Sequence, residues 1–218
     1  MTSANHHLVQ IPIILSRTAA FPGVTYRWKI REKRTIQQCL ESGSSQFGVC
    51  LVRPLVYNEP FADVGTVVTI QNQVMQESGD LLIDAIGDRR FSVVKREATS
   101  EFFTAKVLFL CDNNDICLLH AQDLQEIRHV VYDNTIQWFR SLHELLKENL
   151  TWSHGSLPRI DDEISVSRLL ADGPVWVWWA FAVLQKPEIS LAALSSTNLK
   201  ERLELLQKQL KVQMSLDS

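Results

Sequence analysis

Paired cysteines are missing from this chain of 218 residues: Cys39, Cys50, Cys111 and Cys117 have no C-x-x-C spacing. Zinc ribbons and RING-type sites close tetrahedral cages from several such pairs, so no structural zinc is expected. The thiols read as free side chains of a reducing compartment. A basic excess is missing too. The chain carries 22 basic and 25 acidic residues, a net charge of −3. That argues against nucleic acid or an anionic membrane surface as a partner. Long apolar runs are also absent. The longest, Val175 to Leu184, has ten residues, whereas a bilayer takes about 20. Residues 1–15 lack a basic region followed by an apolar stretch, so no secretory signal is expected. A soluble, cytoplasmic protein is the expectation, with the nucleus as a second compartment. On that ground the sequon Asn149-Leu150-Thr151 reads as chance.

The motifs of common chemistries are likewise not found. There is no G-x-x-x-x-G-K-[ST] loop, no G-x-S-x-G elbow and no H-E-x-x-H helix, so neither phosphate handling nor hydrolysis has its usual signature. His120, His129 and His143 share one predicted helix at separations of nine and fourteen, which does not place two imidazoles one turn apart. No catalytic residue, cofactor site or metal site is therefore assigned.

What the chain does have is enough apolar sequence to bury a core, 45% with 22% charged. Its period changes midway. Val9 to Leu15, Phe47 to Val52, Val64 to Val74, Leu81 to Val94 and Phe102 to Cys111 read as strands. The run Phe47 to Val52 is nearly all apolar, as in a strand buried on both faces. Glu77-Ser78-Gly79-Asp80 reads as a hairpin turn. Only Lys33 to Leu40 looks helical in this half. After Asp112-Asn113-Asn114-Asp115, the apolar residues Leu124, Ile127, Val131, Trp138, Leu142 and Leu145 keep helical spacing, which predicts one amphipathic helix over 118–148. Residues 151–172 read as a loop. Asp172-Gly173-Pro174 would start a second helix, whose residues Val175 to Leu184 are apolar all round and so belong in a core. A third helix carries Leu199, Leu203, Leu206, Leu210 and Met214. Strands followed by helices indicate an α+β chain, divided into a strand-rich lobe over 9–112 and a helical lobe over 113–214.

The strand half resembles the LON substrate-binding domain, also called the Lon N-terminal domain. The residues that carry the likeness are Phe21-Pro22-Gly23, Phe47-Gly48-Val49-Cys50-Leu51, Ala62-Asp63-Val64-Gly65-Thr66 and the return Ile83 to Val93. In the helical half, Gly173 to Trp179, Ala182-Val183-Leu184 and Leu199 to Leu203 are similar to one branch, the LON peptidase N-terminal domain and RING finger proteins. The likeness spans about residues 9 to 212. It departs at Lys29 to Thr35, where the family's usual proline and tyrosine are missing. The resemblance implies a PUA-like β-barrel lobe followed by an α-helical bundle. It also implies a non-catalytic module that binds protein clients and presents them to a ubiquitin ligase. Any E2 enzyme would be reached only through a RING domain outside this chain. Two other readings stay open: an RNA-binding PUA-like module, by fold analogy alone, and a LON-type sensor of small molecules or peptides.

A client site is expected on connections between rigid strands. Arg53 to Phe61 joins two predicted strands and holds two prolines, so it cannot pair throughout. It offers Tyr57 and Phe61, aromatics of the kind enriched at interfaces; the competing expectation is that they fold back to cap the barrel. Trp152, past the predicted long helix, is a second candidate for a groove between the lobes. Asp88-Arg89-Arg90 reads as a solvated hairpin end or a salt bridge into Asp84. Trp176 and Trp179 read as core.

Overall fold

The computed structural model describes residues 8–30, 36–37, 39, 43–53, 59–98, 102–111, 125–155 and 166–216, with the backbone alone at 132, 166–174 and 214–216. Its strands are β1 (Val9–Ser16), β2 (Thr25–Ile30), β3 (Gln46–Val52), β4 (Phe61–Met75), β5 (Leu81–Ala98) and β6 (Phe103–Phe109). A π-helical stretch, Arg128–Ile136, runs into α1 (Gln137–Ser141). Then follow α2 (Glu144–His154), α3 (Val166–Leu184), α4 (Pro187–Ser195) and α5 (Leu199–Leu216).

The sheet runs β2-β5-β4-β3-β1-β6, and β5 also pairs with β6, so the pairings lead from β1 through β3, β4, β5 and β6 back to β1. β1 lies parallel to β3 from Ile13↔Gly48 to Ser16↔Leu51 and antiparallel to β6 from Val9↔Val107 to Ile13↔Phe103. β2 hangs outside this circuit on the first part of β5. Strands feed helices in the order the sequence suggests, giving a mixed α+β fold. β2 is an addition to the expected strands. Its signal is nonetheless in the sequence, because Tyr26, Trp28 and Ile30 alternate with Thr25, Arg27 and Lys29, and the odd-numbered residues are the more exposed.

Two glycines explain the strand-half geometry. Gly79 takes φ +80° in the hairpin between β4 and β5, where its N–H donates to the Gln76 carbonyl at 2.8 Å. Gly87 is where the Phe21-Pro22-Gly23 turn lands: Gly23 N–H donates to the Gly87 carbonyl at 2.9 Å, and Gly87 N–H to the Val24 carbonyl at 3.0 Å. A Cβ on Gly87 would sit 1.9 Å from the Phe21 oxygen, so the close approach excludes any side chain.

β3 is buried on both faces, as its composition suggests. Phe47, Val49 and Leu51 enter a large cluster shared with the helices, while Cys50 enters a small one formed by strands alone. Burial pushes the Cys39 thiol up to about 11 and the Cys50 thiol up to about 12, so both stay protonated and unreactive.

The helical half departs from expectation in three places. The helix predicted over 118–148 is interrupted, its first residues lying outside those described. Leu142 and His143 take extended ψ values of 153° and 144°, and the Ser141 hydroxyl ends the first segment by donating to the Trp138 carbonyl at 2.7 Å. His143 then caps α2, its Nδ1 accepting from Leu145 N–H at 3.3 Å. Upstream, the buried Thr135 hydroxyl donates to the Val130 carbonyl at 2.9 Å, a five-residue reach that suits the wider π turn. Next, the loop read over 151–172 is partly helix: α2 runs to His154 and α3 begins at Val166. Pro174 therefore lies inside α3 rather than in its first turn. Burial of the apolar turns that follow overrides that local signal. Finally, α4 is an addition to the expected helices, with Pro187 at its start and Glu188 in its first turn suiting a helix N-terminus.

Candidate functional site

The expected client loop is clasped at its base. Arg53 N–H donates to the Pro60 carbonyl at 3.1 Å. Arg53 also pairs with Glu59 at 2.7 Å and with Asp63, and Arg96 pairs with Glu59 at 3.1 Å and with Asp63. Partial burial opposes ionisation of Asp63, but hydrogen bonds from Arg96 and Arg53 hold its carboxyl below the usual range. Tyr57 lies outside the described residues. Phe61 is 0% exposed. As the first residue of β4 it points into the small cluster, edge-on to Phe103 at 5.8 Å and beneath the Arg96 guanidinium at 5.1 Å. It therefore presents no face to a partner in this state, and the expectation of a recognition role is corrected for that residue. Strand alternation from the first residue of β4 turns it inward.

Trp152 sits differently. It is 51% exposed on α2, and Leu145, seven residues before it, is 65% exposed. Seven residues make two helical turns, so both side chains share one face. Leu150 and His154 occupy the opposite, buried face. α2 thus turns two large apolar side chains away from the core, with Glu148 and Asn149 between them. Lys147 pairs with Glu144 at 2.9 Å near the start of the helix.

A cleft of about 250 Å³ does lie between strands and helices, lined by Gly23, Val24, Thr25, His154, Trp176 and Trp179 among others. Trp152 is not in its lining. The residue that α2 sends there is His154, two positions on. Its ring meets Tyr26 edge-on at 5.4 Å, and the Gln185 amide lies 2.9 Å from its Nε2. Burial lowers the His154 imidazole to about 4, so it is neutral near pH 7. The sequence gives no hint of this, because the walls of its pocket come from β2 and α3.

In the basic spot Asp88-Arg89-Arg90, Asp88 and Arg89 are solvated as expected and pair at 3.5 Å, and the correction concerns Arg90 and the salt bridge into Asp84. Asp84 pairs with Arg27, at 2.6 Å. Arg89 lies over the Phe109 ring at 4.0 Å. Arg90 is buried and crosses between the halves, donating to the Leu194 carbonyl at 2.7 Å and to that of Ser196. Trp176, Trp178 and Trp179 are all buried, in the core position expected for Trp176 and Trp179. Among the described residues no three metal-ligating side chains gather at one point.

Residues 10–212 match the family model described as the ATP-dependent protease La (LON) substrate-binding domain. The chain belongs to this family. Its fold is similar to that of a Lon N-terminal domain protein from Xanthomonas campestris, with a TM-score of 0.58 and 20% identity, over 92% of this chain and 98% of that one. It is also similar to the N-terminal domain of the Mycobacterium avium complex Lon protease, with a TM-score of 0.60 and 14% identity, over 93% of this chain and 98% of that one. The LON substrate-binding domain is a non-catalytic module, and membership of it suggests a role in recognising protein substrates. Among the described residues, no helix is long and apolar enough to cross a membrane.

Proposed function

We propose that this LON domain captures protein clients on the outward face of α2 and presents them to a ubiquitin ligase whose RING lies outside this chain. Leu145 and Trp152 carry the reading, because two large apolar side chains stand exposed on one helix face while the opposite face is packed. Such a face leaves apolar area to water, and aromatic anchors with few rotatable bonds suit binding. The segment around Tyr57 is a second contact region in the same reading. The ubiquitin-ligase context rests on the likeness of Gly173 to Trp179 and Leu199 to Leu203 to the RING-containing branch. The clients are cytoplasmic or nuclear proteins that expose apolar segments.

The test uses reduced, carboxymethylated α-lactalbumin as an unfolded client. Trp152→Ala with Leu145→Ser is expected to weaken its binding about tenfold or more. The melting temperature should stay within about a degree or two of the parent, since exposed substitutions shift stability by roughly 0.5 kcal/mol or less. Unchanged binding with the fold intact would move the client surface elsewhere.

A further inference from the structure

β1 and β2 each present a strand edge with no strand partner among the described residues. β6 covers β1 only through Val9–Ile13, and β3 takes the opposite edge from Ile13 to Ser16, so from Ile14 onward one edge of β1 has no strand partner among the described residues. β2 is paired along its length with β5 and with no strand on its other side. The ends of these two edges line one cavity of about 440 Å³. Val49, Ile14, Trp28 and Ile30 make its surface apolar, with Ile14 and Trp28 half-buried against the large cluster. Two cations stand beside them. Lys29 is already paired with Asp80 at 2.8 Å. Arg17 is exposed and has no carboxylate partner among the described residues.

We propose that this seam binds an extended, apolar segment of a client protein by strand addition, with an acidic side chain of the segment set against Arg17. The inference rests on the substrate-recognition reading and adds the client's conformation and charge. A bare strand edge offers N–H and C=O groups along its length, and a chain in the same extended conformation satisfies them. A helix cannot, since its backbone groups are spent internally. Alternate side chains of an added strand would point to opposite faces, one set entering the apolar cavity beside Trp28 and Ile14. Arg17, with no carboxylate beside it among the described residues, selects an acidic residue at its end of the seam.

The experiment is hydrogen exchange on the full chain with a seven-residue peptide of alternating valine and threonine bearing one glutamate. Amides within Ile14–Arg17 and Trp28–Ile30 are expected to exchange about tenfold more slowly at saturating peptide. Main-chain N-methylation of the peptide should abolish that protection. Arg17→Glu should weaken the glutamate peptide about tenfold and favour a version carrying lysine instead. No slowing at millimolar peptide, slowing that survives N-methylation, or indifference to Arg17→Glu would each overturn the proposal. So would protection of the same amides that grows with protein concentration in the absence of peptide, because a second copy would then be the occupant. Capture of carboxymethylated α-lactalbumin without seam protection refutes strand addition and leaves substrate recognition standing. Seam protection by the peptide without capture of that client supports strand addition and refutes the α2 reading.

Discussion

The two apolar clusters of this LON domain are built on different plans. The small one, containing Ile13, Cys50, Phe61, Val67, Phe91, Ala105 and Val107, is supplied by strands alone. The large one draws on the strand half and the helices together. Phe21 stacks on Trp178 at 5.5 Å and on Phe181 at 5.9 Å, and Arg90 spans from β5 to two carbonyls at the end of α4. β3 separates the clusters and feeds both. The helices therefore have no apolar cluster of their own among the described residues. Trp178 is held by the turn that follows β1, whereas Trp179 meets Phe139 of α1 at 5.7 Å. The lesson is energetic: damage to the large cluster should reach both halves, whereas damage to the small one should stay among strands.

The largest expected effect is that of Trp179→Ala, at about 3–5 kcal/mol. Helix and strand signals should be lost in a single transition. Helices that melt first over an intact sheet would show the halves to be independent. Acid should come next. His154 is lowered from 6.5 to about 4 in the folded protein, so the unfolded chain binds a proton that the folded one excludes. Its contribution is full above about pH 6.5 and is lost as pH falls towards about 4, by about 3 kcal/mol. Denaturant titrations of the parent and His154→Gln across this range should converge as pH falls. Parallel curves would contradict a neutral, buried imidazole at the seam of the two halves. The smallest effect belongs to the strand-only cluster: Ile13→Val should cost about 0.5–1.5 kcal/mol. Near-ultraviolet tryptophan signals should be unchanged, and any change in them would mean that the clusters are coupled through β3.

Legibility in the sequence follows the same division. Five of the six strands could be read because alternation and turn chemistry are local, as at Gly79. β2 carries the same alternation, but the turn before it and the charged segment after it obscure its ends. The helices were legible as apolar faces but not as bounded elements. The break at Leu142–His143 depends on side-chain caps, and the start of α3 at Val166 runs through a Gly-Pro pair that local rules treat as a boundary. Arg90 looked like surface because its acceptors, the carbonyls of Leu194 and Ser196, lie more than a hundred residues away in sequence. Of the candidate site residues, Trp152 stands on an exposed face. Phe61 begins a strand, although the prolines of its segment suggest a free loop. His154 had no sequence signal at all.

The outward face of α2 as the client surface is tested most directly by site-specific photocrosslinking. Benzoylphenylalanine placed at position 152 or 145 should link to carboxymethylated α-lactalbumin. The same probe at Gln125, an exposed position on the helical segment before the break, should not. Equal crosslinking from all three positions, or none from 152 and 145, would contradict it.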